Sequence, residues 1–385
     1  MSSSRPLRLA VYLDYVHRRE GSTIYAPRAF ALFVAGLRPS FDRVVVAGRV
    51  DPQPGRSHYP LDGVEFLELP HYESAASPAG LARAAAGALR RWDRAVRDAD
   101  VVWVLGPQGL ALPLVALALA RRKRVVLGVR QDLPEYARSR HPGRRLVHAA
   151  ADLLDGAFRG LARFLPVIVV GPALARRYRR GRAVLPLTVS LTSERDLAAP
   201  PPARRWDGDE LRVLSVGRLE AEKNPLLLAD VLARLRAADP RWRLVVCGEG
   251  PLDGALRARL SELELSGAAD LRGYLPLDDG LRDAYREAHA LLHVSWTEGL
   301  PQVLFEAFAA SLPVVATAVG SVREAGGDAV LLVAPGDPEA PAAHLAALAR
   351  DGALRERLVC AGLERARTHS LEAELAHAAR FLARA

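Results

Sequence analysis

The stretch ALLHVSWTEGLPQVLFEAFAASLPVVAT (290–317) predicts a strand, a helix and a second strand in immediate succession. Its ends, 290–296 and 312–317, are short apolar runs, and Pro301 suits the first turn of the helix between them. Strands that are apolar along their whole length and are separated by helices are typical of parallel sheets buried on both faces. The stretch therefore predicts one repeating unit of an α/β fold.

The same alternation extends over the whole chain of 385 residues, a length that suits two domains. In the first half, strands are expected at 7–13, 43–48, 64–69, 101–106, 124–129 and 165–171. In the second half, they are expected at 211–217, 242–248, 269–274, 290–296, 312–317 and 329–335. Between the halves, the segment 197–210 contains three consecutive prolines and no apolar period, which is typical of a linker.

We therefore expect a doubly wound domain at 1–196, a linker at 197–210 and a second doubly wound domain at 211–369. In open α/β sheets, ligands bind beyond the carboxyl ends of the strands. The functional residues should accordingly lie in the loops that follow the strands.

Composition narrows the class of protein. Half of the residues are hydrophobic and a quarter are charged, as in ordinary globular proteins. The two cysteines, Cys247 and Cys360, are far apart in sequence and favour a reducing compartment. No secretory signal is visible at the amino terminus, and no apolar run is long enough to span a bilayer. A cytoplasmic protein is expected, with a peripheral position at the inner face of the membrane as an alternative.

The net charge is +9, and the basic residues are concentrated in 121–182, which holds sixteen Arg and Lys against four Asp and Glu. Solvated helix faces explain such a segment as well as a surface that contacts anionic lipid does. Nucleic acid is not an expected partner, because neither zinc-finger spacing nor interleaved aromatic residues are present.

The loop SVGRLEAEKNP (215–225) follows the first strand of the second domain and contains Gly217, Arg218 and Lys223. Glycine permits close approach of a backbone to a ligand, and the two cations suit a diphosphate. Alternatively, Arg218 forms surface ion pairs with its acidic neighbours Glu220 and Glu222. After the next strand, Gly248 begins a Gly-x-Gly turn, which is a weak signal and is equally well explained by tight packing.

Glu298 and Glu306 lie in an otherwise apolar segment, about two helical turns apart. Unpartnered carboxylates are costly to bury, and as acceptors they suit a ligand rich in hydroxyl groups. The backbone N–H groups at the start of the helix, near Gly299 and Leu300, suit a phosphate. The alternative is a pair of helix-surface glutamates. His293, on the preceding strand, is expected to be a packed core residue.

Five motifs of the second half, in their order and spacing, resemble those of the retaining glycosyltransferases of family 4, which have the two-Rossmann-domain GT-B architecture. The motifs are GRLEAEKNP (217–225), GEGP (248–251), RGYLP (272–276), TEGLPQVLFEAFAASLPVVAT (297–317) and GSVREAGGDAVLLVAPGDPEA (320–340). The E-x7-E signature of that family corresponds to Glu298 and Glu306.

The resemblance implies two facing domains with a deep cleft between them and a donor site in the second. Arg218 and Lys223 would hold the donor diphosphate as it leaves, and Glu298 would contact hydroxyls of the transferred sugar. Glu306 would bind the ribose. The backbone contributes the remaining donor contacts, at Gly217, Gly248, Tyr274, Leu275, Gly299 and Leu300. The donor would be a UDP-, GDP- or dTDP-sugar, and no other cofactor is implied.

The first half is less similar to the family. Gly21 stands where a glycine pair is usual, and Gln131, followed by Asp132, stands where a histidine is usual. These three are the acceptor-side candidates, and Asp132 is explained equally well as a helix cap. The last helix, 370–385, would pack back onto the first domain.

The reaction implied is retaining transfer of a hexosyl group to a hydroxyl acceptor, namely a cell-envelope glycolipid, a polysaccharide or a small natural product. No metal is expected, because the histidines form no ligand cluster and the two Asp-x-Asp matches, at 98–100 and 207–209, are common by chance. Two alternatives remain: a nucleotide-sugar epimerase of the same fold, and a basic membrane or nucleic-acid docking protein without catalysis.

Overall fold

All the expected strands form in the structure, a computed structural model that describes residues 6–55, 57, 59–72, 78–141, 143–198 and 204–385. The chain divides into two compact units, Met1–Val189 with Ala373–Ala385, and Ser190–Glu372. It passes from one to the other at Val189–Ser190, ahead of the linker expected at 197–210. Residues 199–203 of that segment lie outside the described residues, whereas Arg204 belongs to the second unit and donates hydrogen bonds to the carbonyls of Tyr285, Ala310 and Ser311.

The first unit alternates strands and helices. Its strands are β1 (Arg8–Glu20), β2 (Thr23–Ala26), β3 (Arg43–Val50), β4 (Tyr59–Pro60), β5 (Glu65–Leu69), β6 (Val101–Gly106), β7 (Arg124–Val129), β8 (Val167–Val170) and β9 (Val184–Leu187). Its helices are α1 (Phe30–Ala35), α2 (Pro78–Asp98), α3 (Ala111–Ala120), α4 (Leu133–Arg140), α5 (Arg145–Ala162) and α6 (Pro172–Arg177).

The second unit repeats this alternation. Its strands are β10 (Leu211–Val216), β11 (Trp242–Cys247), β12 (Ala269–Gly273), β13 (Ala290–His293), β14 (Val314–Thr317) and β15 (Val330–Val333). Its helices are α7 (Glu194–Ala198), α8 (Leu227–Ala238), α9 (Asp253–Glu262), α10 (Arg282–Glu287), α11 (Gln302–Ala309), α12 (Val322–Gly326), α13 (Glu339–Arg350) and α14 (Gly352–Thr368). A final helix, α15 (Leu371–Arg384), begins in this unit, and its residues from Ala373 onward belong to the first.

The two sheets share one topology. The second sheet has the order β12-β11-β10-β13-β14-β15 and is parallel throughout. The parallel part of the first sheet has the order β5-β3-β1-β6-β7-β8-β9. In each sheet the strand order reverses beside the first strand, which is the doubly wound pattern and the usual place for a ligand. The predicted α/β class with two Rossmann-like domains is confirmed.

Three short strands, β2, β4 and β9, were not predicted, and two of them depart from the parallel pattern. β1 pairs with β6 only from Leu9 to Tyr12, but it continues to Glu20 and turns back antiparallel into β2, which pairs with β4. Gly21 occupies the turn with φ of +57°, where a residue without Cβ is favoured. The expected glycine after the first strand is therefore the tip of a hairpin.

The core of the second unit fixes the helix that carries Glu306. Phe305 and Phe308 of α11 are fully buried, and their rings meet edge to face at 5.8 Å. Gly362 of α14 lies against Phe308 so closely that a Cβ there would be 2.8 Å from the ring. Burying each such ring stabilises the fold by roughly 1.5–3 kcal/mol, so the orientation of α11 is set by its apolar face.

Candidate active site

The loops after β10 and β13 meet at the point where the strand order of the second sheet reverses. Lys223 ends the short 3-10 turn Ala221–Lys223 that follows β10, and Glu298 lies in the loop that follows β13. The backbone N–H of Trp296 donates to the carbonyl of Glu222 at 2.9 Å and joins the two loops. Residues that are far apart in sequence are thus brought to one edge of the sheet, as the strand pattern predicted.

Glu298 is the centre of a buried polar cluster. Its Oε1 accepts from Lys223 Nζ at 2.5 Å and from Ser295 Oγ at 2.6 Å, and it lies 2.8 Å from His293 Nε2. The Glu298 side chain is 6 % exposed and the Lys223 side chain 23 %. The lysine therefore reaches solvent from one side while it holds a buried carboxylate on the other.

The electrostatics keep Glu298 ionised. Burial alone would raise its pKa, but the opposing charges and hydrogen bonds of His293 and Lys223 outweigh burial and hold the pKa of Glu298 well below its usual range. A buried carboxylate of this kind accepts hydrogen bonds and does not donate them at neutral pH. Chemically, the cluster offers an ionised acceptor beside a cation that is partly exposed to solvent.

Two glycines shape the edge of this site. Gly217 and Gly248 follow the adjacent strands β10 and β11 with φ of +155° and +154°. A Cβ on Gly248 would lie 1.9 Å from the carbonyl oxygen of Gly217, which explains why this position has no side chain. Gly248 therefore allows the two loops to pack closely, as the alternative explanation of the Gly-x-Gly turn predicted.

A third glycine, Gly320, was not singled out in the sequence and supports the loop of Glu298. A Cβ on Gly320 would lie 1.8 Å from the carbonyl oxygen of Glu298. The backbone N–H of Ser321 donates to the carbonyl of Gly299 at 3.1 Å, so the loop after β14 holds the loop after β13. The predicted contacts of Gly299 and Leu300 with sugar or phosphate remain predictions.

Arg218 forms ion pairs with Glu220 and Glu222, as the alternative interpretation of this loop predicted. Its guanidinium contacts Glu220 and lies 3.0 Å from Glu222, and its side chain is 41 % exposed. It nonetheless lines a cavity of about 20 Å³ with Gly217, Lys223, His293 and Ser295 among the other lining residues. Both predicted diphosphate ligands thus border the same space, and both are bound to carboxylates in this structure.

Glu306 lies on α11 and has surroundings unlike those of Glu298. Tyr285 Oη donates to Glu306 Oε2 at 2.7 Å. Burial raises the pKa of Glu306, while the hydrogen bond from Tyr285 and the charge of Arg282 counter part of that rise. The pKa values of the two glutamates of this motif are therefore shifted in opposite directions, downward for Glu298 and upward for Glu306.

A cavity of about 560 Å³ adjoins Glu306. Thr192, Ser193, Arg282 and Tyr285 are among the residues that line it. Its lining combines hydroxyl groups, the carboxylates of Asp196 and Glu306, and arginines, and its volume lies in the range of small-molecule sites.

The backbone at Tyr274 has a partner in the adjacent loop. The Tyr274 N–H donates to Glu249 Oε1 at 3.2 Å, and the carbonyl of Gly273 accepts from Gly248 N–H at 2.7 Å. The loops after β11 and β12 are therefore tied together. Leu275, half-buried, is the other predicted base contact of this segment, and both roles remain predictions.

The acceptor-side candidates of the first unit are not brought together. Gly21 is exposed at the hairpin tip. Gln131 lines a small cavity with Asp14, Tyr15 and Arg130. Asp132 caps α4, where it accepts from the backbone N–H of Glu135 at 3.1 Å, and it pairs with Arg177 at 3.2 Å, so the helix-cap interpretation describes this residue.

Sequence reasoning missed three members of the site. His293 was taken for a core residue, and it is buried, but its ring nitrogen is bound to Glu298. Ser295, two residues further on, shares the same carboxylate, and Tyr285 is the partner of Glu306. The one available signal was the alternation along HVS (293–295), which places His293 and Ser295 on the same side of the strand end.

Two absences hold for the described residues only. Among them, no group of three or more His, Cys, Asp and Glu side chains is arranged to hold a metal ion. A search of the same residues finds no helix with the length and apolar character needed to cross a bilayer.

Comparisons with known proteins agree with this geometry. The family model described as "Glycosyl transferases group 1" matches residues 201–365, which lie within the second unit. A D-inositol 3-phosphate glycosyltransferase from Kribbella flavida is 31 % identical over 334 residues, which are 80 % of this chain and 74 % of that relative. Alignments with seven other curated relatives span between 27 % and 50 % of those proteins.

Solved structures share the fold at low identity. Sucrose-phosphate synthase from Thermosynechococcus elongatus superposes with a TM-score of 0.72 at 18 % identity over 98 % of both chains. Anabaena HepE, solved in complex with UDP and glucose, superposes with a TM-score of 0.68 at 16 % identity over 98 % of this chain and 99 % of that one. These likenesses confirm the expected GT-B class of fold.

Proposed function

This chain belongs to the glycosyl transferases of group 1, and from that premise we propose that it is a retaining hexosyltransferase with a nucleotide-diphospho-sugar donor. It uses no cofactor besides the donor and no bound metal. The acceptor is a hydroxyl group of a cell-envelope glycolipid, a polysaccharide or a small natural product.

One observation carries the proposal: Lys223 Nζ lies 2.5 Å from Glu298 at the reversal point of the parallel sheet. A lysine held there by a buried carboxylate is a positioned cation that is still partly open to solvent. Preorganised charge aimed at a developing anion is the largest single contribution in many enzymes. In this reaction the developing anion is the nucleoside diphosphate that leaves the sugar.

In the proposed step, the bond between the anomeric carbon and the donor phosphate oxygen breaks as a bond to the acceptor oxygen forms on the same face. The acceptor proton passes to a donor phosphate oxygen, so no separate base is required. Lys223 and Arg218 stabilise the charge of the leaving diphosphate. Arg218 must exchange at least one of its ion pairs with Glu220 and Glu222 to do so.

The two glutamates bind the polyol parts of the donor. Glu298, ionised because of His293 and Lys223, accepts hydrogen bonds from hydroxyls of the transferred sugar. Glu306 accepts from the ribose, and the cavity of about 560 Å³ beside it has room for the nucleoside. The likeness to HepE, whose structure holds UDP and glucose, makes UDP-sugars the first donors to test.

The deciding experiment is a panel of nucleotides and nucleotide-sugars. We expect one UDP-, GDP- or dTDP-sugar to raise the melting temperature, since a ligand that binds only the native state stabilises it. The same donor is then supplied with candidate acceptors, with and without EDTA, and the anomeric configuration of the product is read by NMR. A product with retained configuration and an unchanged rate in EDTA is expected.

Three outcomes count against parts of this proposal. Inverted product configuration overturns the retaining mechanism, and activity abolished by EDTA overturns metal independence. If the donor sugar is isomerised in the absence of any acceptor, the protein is an epimerase of this fold. A chain that binds no nucleotide-sugar at all contradicts the whole assignment.

A further inference from the structure

We propose that the outer face of α5 in the first unit docks on an anionic lipid bilayer. The observation behind it is three large apolar side chains that are directed into solvent: Leu146 is 88 % exposed, Leu153 75 % and Phe164 72 %. Isolated exposed leucines are ordinary on protein surfaces, but a set of three on one line is not. The proposal does not depend on the glycosyltransferase reaction.

The three side chains lie along one side of the helix. Leu153 is seven residues and Phe164 eighteen residues after Leu146, which are close to two and five whole helical turns. Phe164 follows the last residue of α5, but Arg163 keeps helical backbone angles and the N–H of Phe164 donates to the carbonyl of Leu161 at 2.9 Å. The line therefore continues to Phe164.

The opposite side of α5 packs into the core. Ala151, Asp155, Phe158 and Ala162 are its buried residues. Small residues separate the exposed apolar side chains on the outer side, so nothing bulky shields them; these are Ala149, Ala150 and Gly156, all exposed. The result is an apolar stripe about 27 Å long at a rise of 1.5 Å per residue. We call it the α5 stripe, defined by Leu146, Leu153 and Phe164.

Positive charge stands at both ends of the α5 stripe. Arg144 and Arg145 precede it, Arg163 adjoins Phe164, and all three are exposed. In the part of the chain that the structure describes, no carboxylate lies within ion-pair distance of these three arginines. The acids of α5 are already engaged, since Asp152 is bound by Arg138 and Asp155 is bound by Arg177.

This pattern selects a bilayer over other occupants. A helix with an apolar line between cationic ends lies in the plane of a membrane, with its apolar side among the acyl chains and its arginines among anionic headgroups. A second copy packed about a two-fold axis would bring arginines against arginines, which is repulsive. Nucleic acid would satisfy the arginines but would leave Leu146, Leu153 and Phe164 without an apolar partner.

The test measures binding of the full chain to vesicles that contain no acceptor and no donor. Vesicles of phosphatidylcholine alone are compared with vesicles that contain phosphatidylglycerol. We expect binding to the anionic vesicles and at least about ten-fold weaker binding to the neutral ones, because each arginine near an anionic surface contributes about a factor of five. Raising the salt concentration from about 0.1 M to about 0.5 M should weaken binding to the anionic vesicles.

Two sets of variants separate the apolar and charged contributions. The variant Leu146→Gln, Leu153→Gln, Phe164→Gln should bind anionic vesicles at least ~10-fold more weakly at either salt concentration, because its apolar contacts are lost. The variant Arg144→Gln, Arg145→Gln, Arg163→Gln should lose binding mainly at low salt. Since all six side chains are exposed, circular dichroism and thermal melting should match the wild type.

The control variants replace exposed leucine or arginine side chains that lie outside the α5 stripe. Leu119→Gln removes an exposed leucine of α3, and a triple change to Gln at the exposed arginines Arg350, Arg357 and Arg367 removes equal charge from the second unit. Both controls should bind as the wild type does. The proposal is overturned if the wild type ignores anionic vesicles, if the leucine and phenylalanine variant binds unchanged, or if that variant instead converts a dimer into a monomer.

Discussion

The carboxyl ends of the central strands carry buried acids in both units, and the two acids are satisfied in different ways. In the first unit, Asp14 lies in the irregularity of β1 that follows its pairing with β6. Tyr12 and Tyr72 donate to its Oδ1 at 2.9 Å each, and Arg49 pairs with it at 3.1 Å. In the second unit, Glu298 also has three partners, but the side chain of one of them, Lys223, is 23 % exposed.

The difference lies in the cation. Arg49 is 9 % exposed, and its guanidinium is stacked 3.9 Å over the ring of Tyr72. It has no free side from which to meet a ligand. Lys223 borders a cavity that Arg218 also lines. A buried acid at a strand end is therefore not by itself a sign of catalysis, because the cation paired with Asp14 is enclosed by the protein, whereas the cation paired with Glu298 remains partly exposed.

The largest effect expected from this comparison is on stability in the first unit. Asp14→Ala leaves Arg49 buried without its charge partner, which costs about 3–5 kcal/mol in the free energy of unfolding. Urea unfolding followed by hydrogen exchange of the amides of β1 and β3 measures the change in this unit alone. Glu65→Gln breaks the exposed pair with Arg43 and should cost at most about 1 kcal/mol. Equal costs for the two variants would show that the Asp14 network is not special.

The next effect is on catalysis in the second unit. Lys223→Ala should lower kcat by about 10²–10³-fold, because a preorganised cation at the leaving group is lost. The chain supplies a matched control in Lys123, the other lysine, whose Nζ donates to the carbonyls of Arg97 and Ala99. Lys123→Ala should change stability by about 1 kcal/mol and leave kcat unchanged. Full transfer activity in Lys223→Ala would remove Lys223 from the site.

The stability of the first unit is also expected to depend on pH, because of His17. His17 is fully buried, and burial lowers its pKa from 6.5 to about 4. Between these values the unfolded chain binds a proton that the folded chain does not, so stability falls as the pH drops from 6.5 to 4, by about 3 kcal/mol. Glu298, whose folded pKa is depressed, loses its contribution only below the usual carboxyl range. His17→Gln should flatten the upper part of the stability curve, and an unaltered slope would contradict the assignment.

The smallest effect concerns Glu306. Tyr285→Phe removes the hydroxyl that donates to Glu306 and should weaken nucleotide binding about ten-fold, the size expected for a hydrogen bond to a charged group. Because the pKa of Glu306 is already raised and the hydroxyl lowers it, the variant should lose affinity at a higher pH than the wild type as pH falls. Tyr178→Phe removes a similar bond to Asp155 in the first unit and serves as the control. Calorimetric titration at several pH values measures both, and identical profiles would exclude Tyr285 from the site.

The sequence was most informative where local pattern and topology agree. Continuous apolar runs predicted every strand of the two parallel sheets except β9, and topology then placed the loops of Lys223 and Glu298 at one edge. It was least informative where two interpretations share one pattern. Asp132 fits both a helix cap and an acceptor contact; the structure shows the cap through the bond from the Glu135 N–H, and the acceptor role stays a prediction.

What the sequence determined by itself is the α/β class, the two units and the motif residues after the strands, because apolar periodicity and the carboxyl-end rule act locally. Which charges meet depends on the three-dimensional packing. His293 and Lys223 are seventy residues apart, yet both are bound to Glu298, and they depress the pKa of that carboxylate while burial alone raises that of Glu306. Burial and charge contacts depend on packing across the sheet, and a linear pattern does not contain them.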